Sequence, residues 1–315
     1  MASSTVRVAV AVIINQKNEV LISLRSESSH LGGLWEFPGG KIEPNESVES
    51  ALKRELFEEL DIHVLRSFPF KVVHYQYPDK KIILNIHIVK DFSGVPKGVE
   101  GQEILWKPIN QLKTEDFPAA NRCVINSLIL PEKYLITGDF NGTENFTSSL
   151  KKSLLNGITL VQMRCKMHSQ EEYIQLAAEA QKVCATHKVS LLLNTDVETF
   201  KKTQAEGLHL NSQRLHSVSK RPVSSGKLLS VSCHTGEDLF QANKIEADIV
   251  LLSPVKETTS HPGVKGIGWE KFSSLIADLN IPVYALGGMS TNDISEAKKQ
   301  GAQGVAAISS FWVNQ

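Results

Sequence analysis

The chain has 315 residues, of which 34 are basic and 34 acidic, and 41% of its residues are hydrophobic. This length predicts two domains, and the apolar fraction is ample for two cores. The balanced charge argues against a general nucleic-acid binder and against a polybasic membrane anchor, and no apolar run reaches the length of a membrane span.

The cysteines predict a reducing environment. Cys123, Cys165, Cys184 and Cys233 lie far apart and form no CxxC pair. We therefore expect reduced, mostly buried thiols in a cytoplasmic protein, and neither a zinc site nor a disulfide framework. The apolar run Val8–Ile14 is short and leads into a polar turn, so it is interpreted as a strand and not as a signal peptide.

The first half alternates β-rich runs with two helical stretches. Val6–Ile14 and Val20–Arg25 flank the polar turn Asn15–Asn18, which predicts a β-hairpin. A helix is expected to begin near Pro44, with Asn45 as its N-cap. A second helix is expected over Asn121–Leu130. Further strands are predicted over Val64–Val73, Ile82–Val89 and Ile104–Pro108.

The first of these helices carries a dense group of carboxylates. Glu55, Glu58 and Glu59 are spaced i, i+3 and i+4, which places them on one helical face about 100° wide. Glu59 also falls within the arc of the apolar residues, where an unpaired carboxylate is costly. A hard divalent cation, Mg²⁺ or Mn²⁺, takes oxygen ligands and is often bridged to phosphates, so it would offset both the burial and the mutual repulsion.

The stretch Gly40–Ile62 resembles the Nudix box, the signature of hydrolases that cleave a nucleoside diphosphate linked to another group. Asp61 stands where that family has Gly, and Asp also tolerates the left-handed conformation that ends the helix. The resemblance implies that Glu55, Glu58, Glu59 and the Gly39 carbonyl hold the metal. It also implies that Glu46 and Arg54 orient these ligands. A Nudix fold that binds without hydrolysing is the alternative. The matching positions are Gly40, Glu46, Arg54, Glu55, Leu56, Glu58, Glu59 and Ile62.

From Val6 to about Leu130 the chain resembles the MutT type of Nudix enzyme. That type sanitises the nucleotide pool for DNA replication and repair by hydrolysing 8-oxo-dGTP to 8-oxo-dGMP and pyrophosphate. The family residues that match Arg25, Phe37 and Asn121 surround the nucleotide. The amide of Asn121 offers a donor and an acceptor to a purine edge, and its alternative role is a helix N-cap. The supporting segments are Trp35–Lys41, Tyr77–Asp79, Glu100–Gln102, Trp106 and Asp116–Asn121.

This resemblance implies metal-assisted attack of water on a phosphorus atom of the triphosphate. One glutamate of the box would accept the proton of the water. Glu100 and Glu103 lie in a loop that in the family contributes a further ligand or base, and their alternative is a solvated position.

The second half predicts a (β/α)₈ TIM barrel, because eight β-rich runs alternate with helical stretches. The expected fold class is therefore α/β, with a Nudix domain over residues 1–131 followed by a barrel over residues 132–315. Chemistry in this barrel lies at the C-terminal ends of the strands. The predicted strands are Tyr134–Thr137, Thr159–Arg164, Ser190–Asn194, Gly207–Leu210, Leu228–Cys233, Asp248–Ser253, Pro282–Leu286 and Gly304–Ser309.

Distinctive residues follow these strands. Backbone amides after the seventh and eighth strands make the usual barrel phosphate site, so Gly287, Gly288 and Ser309 predict phosphate binding. The alternative for the glycine pair is an ordinary tight turn. The other candidates after strand ends are Gln162, Arg164, Lys166 and His234.

From Tyr134 to Phe311 the chain resembles thiamine phosphate synthase and its relative TenI, a thiazole tautomerase. The resemblance implies a barrel ligand such as thiamine phosphate or thiazole phosphate, held by Thr258, Ser260, Gly288, Ile308 and Ser309. It also matches His234 to the TenI residue that transfers protons, and the alternative is a structural loop residue. The carrying segments are Leu135–Asp139, Gln162–Lys166, Gly207–Leu210, Val231–Thr235, Ser253–Ser260 and Ala285–Met289.

The departures from the synthase pattern concern its Mg²⁺ ligands. Thr195 replaces the first acid, with Asp196 one position late, and Arg214 replaces the second. His261 stands where the synthase has a pyrophosphate-binding Lys. We therefore expect a barrel that binds a phosphate ester but lacks full synthase activity.

The leading hypothesis is a Mg²⁺-dependent 8-oxo-dGTP diphosphatase joined to a phosphate-binding barrel. The fusion motivates two others: a hydrolase of damaged thiamine or pyrimidine pyrophosphates, and a barrel that senses a ligand and modulates the first domain. None of the three involves direct contact with a nucleic acid or a membrane, and the sequence indicates no oligomeric state.

Overall fold

The structure is a computed structural model that describes residues 5–29, 31–78, 80–165, 169–258, 263 and 265–313. Among the predicted positions, Asp79, Lys166, Ser260 and His261 lie outside the described residues. The contacts divide the chain into two compact units, Met1–Ile129 and Leu130–Gln315. Within the described ranges, no helix is long and apolar enough to cross a membrane.

The first unit contains a mixed sheet with the strand order β4-β1-β6-β5 and a small antiparallel sheet with the order β3-β2-β7. In the mixed sheet β1 pairs in parallel with β6 and antiparallel with β4. The strands are β1 (Thr5–Ile13), β2 (Glu19–Leu24), β3 (Trp35–Glu36), β4 (Gly39–Lys41), β5 (His63–Gln76), β6 (Lys81–Ser93) and β7 (Ile104–Pro108).

The predicted hairpin between the first two strands is confirmed only at its turn. β1 and β2 belong to different sheets, and an isolated bridge between Ile14 and Val20 connects them. The reason is that β1 already has a neighbour on each edge, β4 and β6. Its two faces are also buried in two different cores, with Val10 and Val12 in one and Ala9 and Ala11 in the other.

The carboxylate-rich helix is α1 (Val48–Leu60), and it buries Ala51, Leu52, Leu56 and Leu60. The prediction that Asn45 caps it is wrong, because Ser47 is the N-cap and accepts a hydrogen bond from the Ser50 N–H. Asn45 instead has a left-handed φ of 65° in the preceding turn. Glu46 therefore lies before the helix and is free to pair with a residue further along it.

Asp61 ends α1 in the conformation expected for the family glycine. It has φ 54° and ψ 41°, and its N–H bonds to the carbonyls of Leu56 and Phe57. The second helix of this unit is α2 (Arg122–Ile129), which follows a 3₁₀ turn at Ala119–Asn121.

The second unit is a closed barrel of eight parallel strands in its described residues, as predicted. Apolar residues between strands and helices form its larger core, and a smaller core fills the barrel interior. The strands are β8 (Lys133–Ile136), β9 (Leu160–Met163), β10 (Ser190–Asn194), β11 (Gly207–Leu210), β12 (Leu228–Cys233), β13 (Ile249–Leu252), β14 (Val283–Leu286) and β15 (Gly304–Ala307).

Helices alternate with these strands, as a (β/α)₈ barrel requires. They are α3 (Gly142–Leu154), α4 (Gln170–Thr186), α5 (Val197–Lys201), α6 (Ser212–His216), α7 (Gly236–Lys244), α8 (Gly268–Ile276) and α9 (Ile294–Lys299). The cysteines are free thiols, with Cys184 and Cys233 buried and Cys123 and Cys165 partly buried.

Candidate functional site

A cleft of about 380 Å³ in the first unit brings together the residues predicted to surround a nucleotide. Arg25, Phe37 and Asn121 line it, and so does Gly39, the residue predicted to offer its carbonyl to a metal. These residues come from the end of β2, the segment between β3 and β4, β4 itself and the turn before α2. The fold therefore assembles one pocket from distant parts of the chain.

One wall of this cleft is aromatic. The ring of Phe37 stacks on Phe117, with centroids 5.4 Å apart and an angle of 29° between the ring planes. Phe37 is nearly buried, so its orientation is fixed by packing. Tyr77 also lines the cleft. A fixed aromatic face of this kind suits stacking with a planar base.

Asn121 lies at the end of the 3₁₀ turn and is 8% exposed. Its backbone N–H bonds to the Pro118 carbonyl. Among the described residues, its side-chain amide makes no hydrogen bond, which distinguishes it from a capping residue such as Ser47. The amide therefore remains available at the cleft.

Glu36 is a cleft residue to which the sequence reasoning gave no role. Its carboxylate pairs with Arg25, and both side chains line the cleft. Burial raises the pKa of Glu36, while the Arg25 charge and hydrogen bond act in the opposite direction. The signal that could have found it was its position in the Trp35–Lys41 segment, next to Phe37.

Glu59 is the most strongly perturbed carboxyl of the box. It accepts a hydrogen bond from the Gly39 N–H at 3.2 Å, so it contacts the backbone of the cleft wall. Burial raises its pKa to about 8, the Gly39 bond opposes this, and the neighbouring carboxylates of Glu36, Glu55 and Glu100 add to it. A cation placed beside Glu59 would relieve this unfavourable charge.

The Glu100 carboxylate is a neighbour of Glu59 because its loop is tied to the end of α1. The Val99 N–H and the Gln102 side-chain amide both donate to the Glu59 carbonyl, at 3.0 Å each. For Glu100 and Glu103 the sequence left two alternatives, a ligand or base at the box and a solvated position. In the structure Glu100 acts electrostatically on Glu59.

Glu55 lies directly over the backbone of Gly40. A β-carbon at Gly40 would lie 2.1–2.2 Å from the atoms of the Glu55 carboxyl group. The carboxylate also pairs with Arg54 at 2.8 Å. Glu58 is more exposed, at 54%, and is 3.4 Å from Arg54.

Arg54 connects the loop before α1 to the helix. Its guanidinium makes two hydrogen bonds to Glu46, at 3.0 and 2.9 Å, and one to the Lys41 carbonyl at 3.0 Å. These contacts, together with the pair to Glu55, raise the Arg54 pKa. Arg54 and Glu46 thus fix the position of the carboxylates, which is the arrangement that orienting residues require.

The box carboxylates do not converge on one point. In the described residues, no group of three or more His, Cys, Asp or Glu side chains could hold a metal ion. Glu55 and Glu58 turn toward Arg54, whereas Glu59 turns toward Gly39. The donor chemistry still fits a hard cation, because the pKa of the half-buried Glu59 carboxyl is raised by burial and then by the Glu36, Glu55 and Glu100 carboxylates, and a cation would offset both effects.

The barrel has a second cavity, of about 540 Å³, at the ends of its strands. Five predicted ligand residues line it together: His234, Thr258, Gly288, Ile308 and Ser309. Gln162 and Arg164 do not belong to this lining. Gln162 is buried in the barrel interior and accepts a hydrogen bond from the Tyr134 hydroxyl at 3.3 Å.

The glycine pair of this cavity forms a tight turn and also lines the pocket. Gly287 has φ 100° and Gly288 has φ 64°, which other residues rarely adopt. A β-carbon at Gly288 would lie 2.7 Å from the Glu257 carbonyl oxygen. The same backbone conformation is therefore compatible with a phosphate site and with an ordinary tight turn.

His234 is held by its ring and by its backbone. Its Nδ1 is 2.8 Å from the Ser253 carbonyl oxygen, which can only accept, so Nδ1 carries a hydrogen. In the neutral ring Nε2 is then the basic nitrogen. The His234 N–H donates to the buried carboxylate of Asp238, which also pairs with His216.

The Mg²⁺ implied by resemblance to the synthase does not fit the barrel. The Asn194 amide oxygen accepts a hydrogen bond from Arg214 at 3.1 Å, which places a positive guanidinium beside it. Asp196 is the N-cap of α5, and its carboxylate accepts hydrogen bonds from the N–H and hydroxyl of Thr199 at 2.9 and 2.7 Å. The Asp196 carboxylate is therefore occupied by hydrogen bonds within α5 and does not replace the missing metal ligand.

Comparison with known proteins assigns similarity to each unit separately. The family description "NUDIX domain" matches residues 9–127, and "Thiamine monophosphate synthase" matches residues 133–311. The chain is 40% identical over 122 residues to an 8-oxo-dGTP diphosphatase of Escherichia coli, a match that spans 39% of this chain and 95% of that protein. It is 47% identical over 95 residues to an 8-oxo-dGTP diphosphatase of Buchnera aphidicola, covering 30% and 77%.

The second unit is similar to a known protein over nearly the whole length of that protein. A putative thiamine-phosphate synthase 2 of Aquifex aeolicus is 35% identical over 182 residues, which spans 58% of this chain and 98% of that protein. The two sets of relatives together cover both units of the chain.

Proposed function

The chain belongs to the thiamine monophosphate synthase family through residues 133–311 and to the NUDIX family through residues 9–127, and we propose that its first domain hydrolyses 8-oxo-dGTP to 8-oxo-dGMP and pyrophosphate. In this proposal the domains span residues 1–131 and 132–315. The observation that carries it is the cleft lined by Arg25, Phe37 and Asn121, whose Gly39–Gly40 wall contacts Glu59 and Glu55.

Each cleft residue has a separate role in this proposal. The base stacks against the fixed ring of Phe37, and Asn121 presents its amide to the purine edge, where it can both donate and accept. Arg25, oriented by Glu36, supplies positive charge beside the nucleotide. In this proposal the phosphates lie along the β4 backbone, next to the box carboxylates.

In this proposal the carboxylates of the Nudix box hold the metal. Glu55, Glu58, Glu59 and the Gly39 carbonyl would bind Mg²⁺ or Mn²⁺, with Arg54 and Glu46 fixing the carboxylates. The cation, when bound, neutralises phosphate oxygens and lowers the pKa of a bound water. One box carboxylate then accepts the proton of that water.

A hydrolysis screen tests this function. Canonical and oxidised nucleoside triphosphates are compared with thiamine pyrophosphate and its oxidised analogues, using kcat/KM for each with Mg²⁺ present. We expect 8-oxo-dGTP to be the preferred substrate. Preference for the thiamine compounds would replace the proposal with the alternative of a hydrolase for damaged thiamine pyrophosphates.

Replacing Asn121 by Ala should weaken discrimination for the oxidised purine. The loss of one hydrogen-bonding amide is expected to lower kcat/KM for 8-oxo-dGTP about tenfold, while other nucleotides keep most of their turnover. The measurement is the ratio of kcat/KM for 8-oxo-dGTP to that for dGTP. Exposed Asn110 provides the control, since Asn110→Ala should leave the ratio unchanged. An equal loss with every substrate would instead make Asn121 a scaffold residue.

For the second domain we propose binding of a phosphate ester, such as thiazole phosphate or thiamine phosphate, in the 540 Å³ cavity. Backbone amides at Gly288 and Ser309 would bind the phosphate, and Thr258 would add a hydroxyl. Such a domain could transmit ligand binding to the hydrolase, or use His234 for proton transfer. Transmission of ligand binding to the hydrolase and proton transfer by His234 would both use this bound phosphate ester.

The full chain should bind thiazole phosphate but make no thiamine phosphate from its two precursors, even in excess Mg²⁺. The reason is that Arg214 and the capping role of Asp196 leave no acid pair for a metal. Calorimetry and a coupled synthase assay provide the measurements. Gly288→Ala would place a β-carbon 2.7 Å from the Glu257 carbonyl oxygen, so the amide must move, and binding should weaken at least about tenfold, the scale of a hydrogen bond to a charged group. Synthase turnover, or binding unaffected by Gly288→Ala, would contradict this prediction.

A further inference from the structure

We infer that Gln102 is a positioning residue of the hydrolase site: its side-chain amide fixes the loop between β6 and β7 against the end of α1 and so places Glu100 beside Glu59. This inference rests on the proposed function of the first domain and deepens it, because it names the residue that brings a carboxylate from outside the box to the proposed metal site. Gln102 is half-buried and does not line the nucleotide cleft.

Both ends of the Gln102 amide form hydrogen bonds. Its Oε1 accepts from the Glu100 N–H at 2.9 Å, and its Nε2 donates to the Glu59 carbonyl at 3.0 Å. One side chain therefore connects the backbone of Glu100 to the backbone of Glu59. Because the amide oxygen only accepts and the amide nitrogen only donates, a reversed amide would lose both contacts, so the orientation of the side chain is fixed.

The end of α1 has other donors for its carbonyl groups. Glu59 is the last residue but one of this helix, and the last carbonyls of a helix have no partner within it. The Val99 N–H also donates to the Glu59 carbonyl at 3.0 Å, and the Lys97 N–H donates to the Leu60 carbonyl at 3.1 Å. Capping alone would therefore be served by the loop backbone. The second donor from Gln102 adds a connection to Glu100 that capping does not require.

Two glycines fold the loop so that Gln102 reaches Glu100. A β-carbon at Gly98 would lie 2.0 Å from the Gln102 carbonyl oxygen and 3.1 Å from its Oε1, so only glycine leaves room for this approach. Gly101 has a left-handed φ of 80°, and its N–H bonds to the Gly98 carbonyl at 3.3 Å. The backbone of the loop is thus built around the Gln102 side chain.

The Glu100 carboxylate is left available by this arrangement. It is exposed and forms no hydrogen bond or ion pair with the described residues. Burial is the main cause of the raised Glu59 pKa, and the Glu100 charge adds to it, so the two carboxylates are close enough to interact. A hard cation takes such oxygen ligands. Glu103, in contrast, is tied to β2, because its carbonyl accepts from the Leu24 N–H at 2.8 Å. The geometry therefore favours Glu100 as the acid that the loop contributes.

The test is calorimetric titration of the full chain with Mn²⁺ in the absence of nucleotide, beside steady-state hydrolysis of 8-oxo-dGTP. Gln102→Met keeps the length of the side chain but removes both hydrogen bonds. We expect it to weaken Mn²⁺ binding about tenfold, the lower end of the cost of removing a group that orients a metal ligand, and to lower kcat similarly with little change in KM. Gln111→Met, at an exposed position in a 3₁₀ turn, is the matched control and should change neither. Glu59→Gln should remove most of the Mn²⁺ binding, which assigns it to the first domain.

A double variant separates positioning from a purely structural role. If Gln102 acts through Glu100, Gln102→Met should cause little further loss of Mn²⁺ affinity in a Glu100→Gln chain. Gln102→Asn, whose amide is too short to join both backbones, should show the same loss as Gln102→Met. A lower melting temperature with unchanged Mn²⁺ affinity, losses that multiply in the double variant, or no Mn²⁺ binding by the unaltered chain would overturn the inference. Preference for a substrate other than 8-oxo-dGTP would reject the proposed function alone, because the Mn²⁺ titration uses no substrate.

Discussion

Replacing Glu59 or Glu55 by Gln should lower kcat for 8-oxo-dGTP by at least about a hundredfold, the scale of losing charge stabilisation or proton transfer. Both carboxyls contact the Gly39–Gly40 wall of the cleft, Glu59 through the Gly39 N–H and Glu55 above the Gly40 backbone. Gln keeps the shape and one acceptor oxygen but removes the negative charge that a hard cation requires. The measurement is steady-state hydrolysis at saturating Mg²⁺.

The fold should survive both changes. Gln at position 59 can still accept from the Gly39 N–H and adds no charge beside the Glu36, Glu55 and Glu100 carboxylates, so the melting temperature should not fall. Glu115→Gln, at an exposed position in a 3₁₀ turn, provides the matched control and should keep full activity. Near-normal turnover in both the Glu55 and Glu59 variants would reject the proposed metal site.

Local rules explain how far the sequence could predict the first domain. The position of Glu59 within the arc of the apolar residues predicted a partly buried carboxyl, and the structure shows it half-buried, with burial raising its pKa. Asp61 was expected to adopt the left-handed conformation, and it does. Both predictions depend on the period of one helix and on one residue type, and these do not require long-range information.

Long-range pairing explains what the sequence missed. Trp35–Glu36 and Gly39–Lys41 are strands of two and three residues, too short to show any alternation, and each is defined by its pairing with a longer strand, β2 and β1 respectively. The neighbourhood of Glu36, Glu59 and Glu100 also arises only when three distant segments meet. Glycine- and proline-containing segments of this kind look like loops in the sequence.

In the barrel too, local features could be predicted from the sequence and long-range ones could not. Its eight strands could be predicted because each is a short buried run between turn signals, and the closed topology follows from their alternation with helices. For the residues after the strands, however, the sequence predicted ligand binding without showing which of them share a pocket. The structure places His234, Thr258, Gly288, Ile308 and Ser309 in one cavity and leaves Gln162 and Arg164 outside its lining. Which strand ends share a pocket depends on side-chain direction, and sequence spacing does not give that.

Gly40→Ala should abolish most of the hydrolase activity while leaving the fold intact. The new β-carbon would lie 2.1–2.2 Å from the Glu55 carboxyl group, so that group must move away. The end of a flexible side chain can move at little cost in stability. Displacing a catalytic group by about 1 Å is enough to lower the rate roughly a hundredfold. Hydrolysis of 8-oxo-dGTP and thermal unfolding are measured on the same samples.

Gly39→Ala provides the contrasting variant at the adjacent position. There φ is +143°, and a β-carbon would lie 2.1 Å from the Ala9 carbonyl oxygen, which belongs to the backbone of β1 and cannot move independently. We expect this change to lower folding stability by roughly 1–3 kcal/mol or more, the scale of backbone strain. Gly40→Ala should therefore lose activity without a drop in melting temperature, whereas Gly39→Ala should lower the melting temperature as well. If Gly40→Ala kept normal turnover, the Glu55 carboxylate would not need its position over Gly40, and its proposed role as a metal ligand would be wrong.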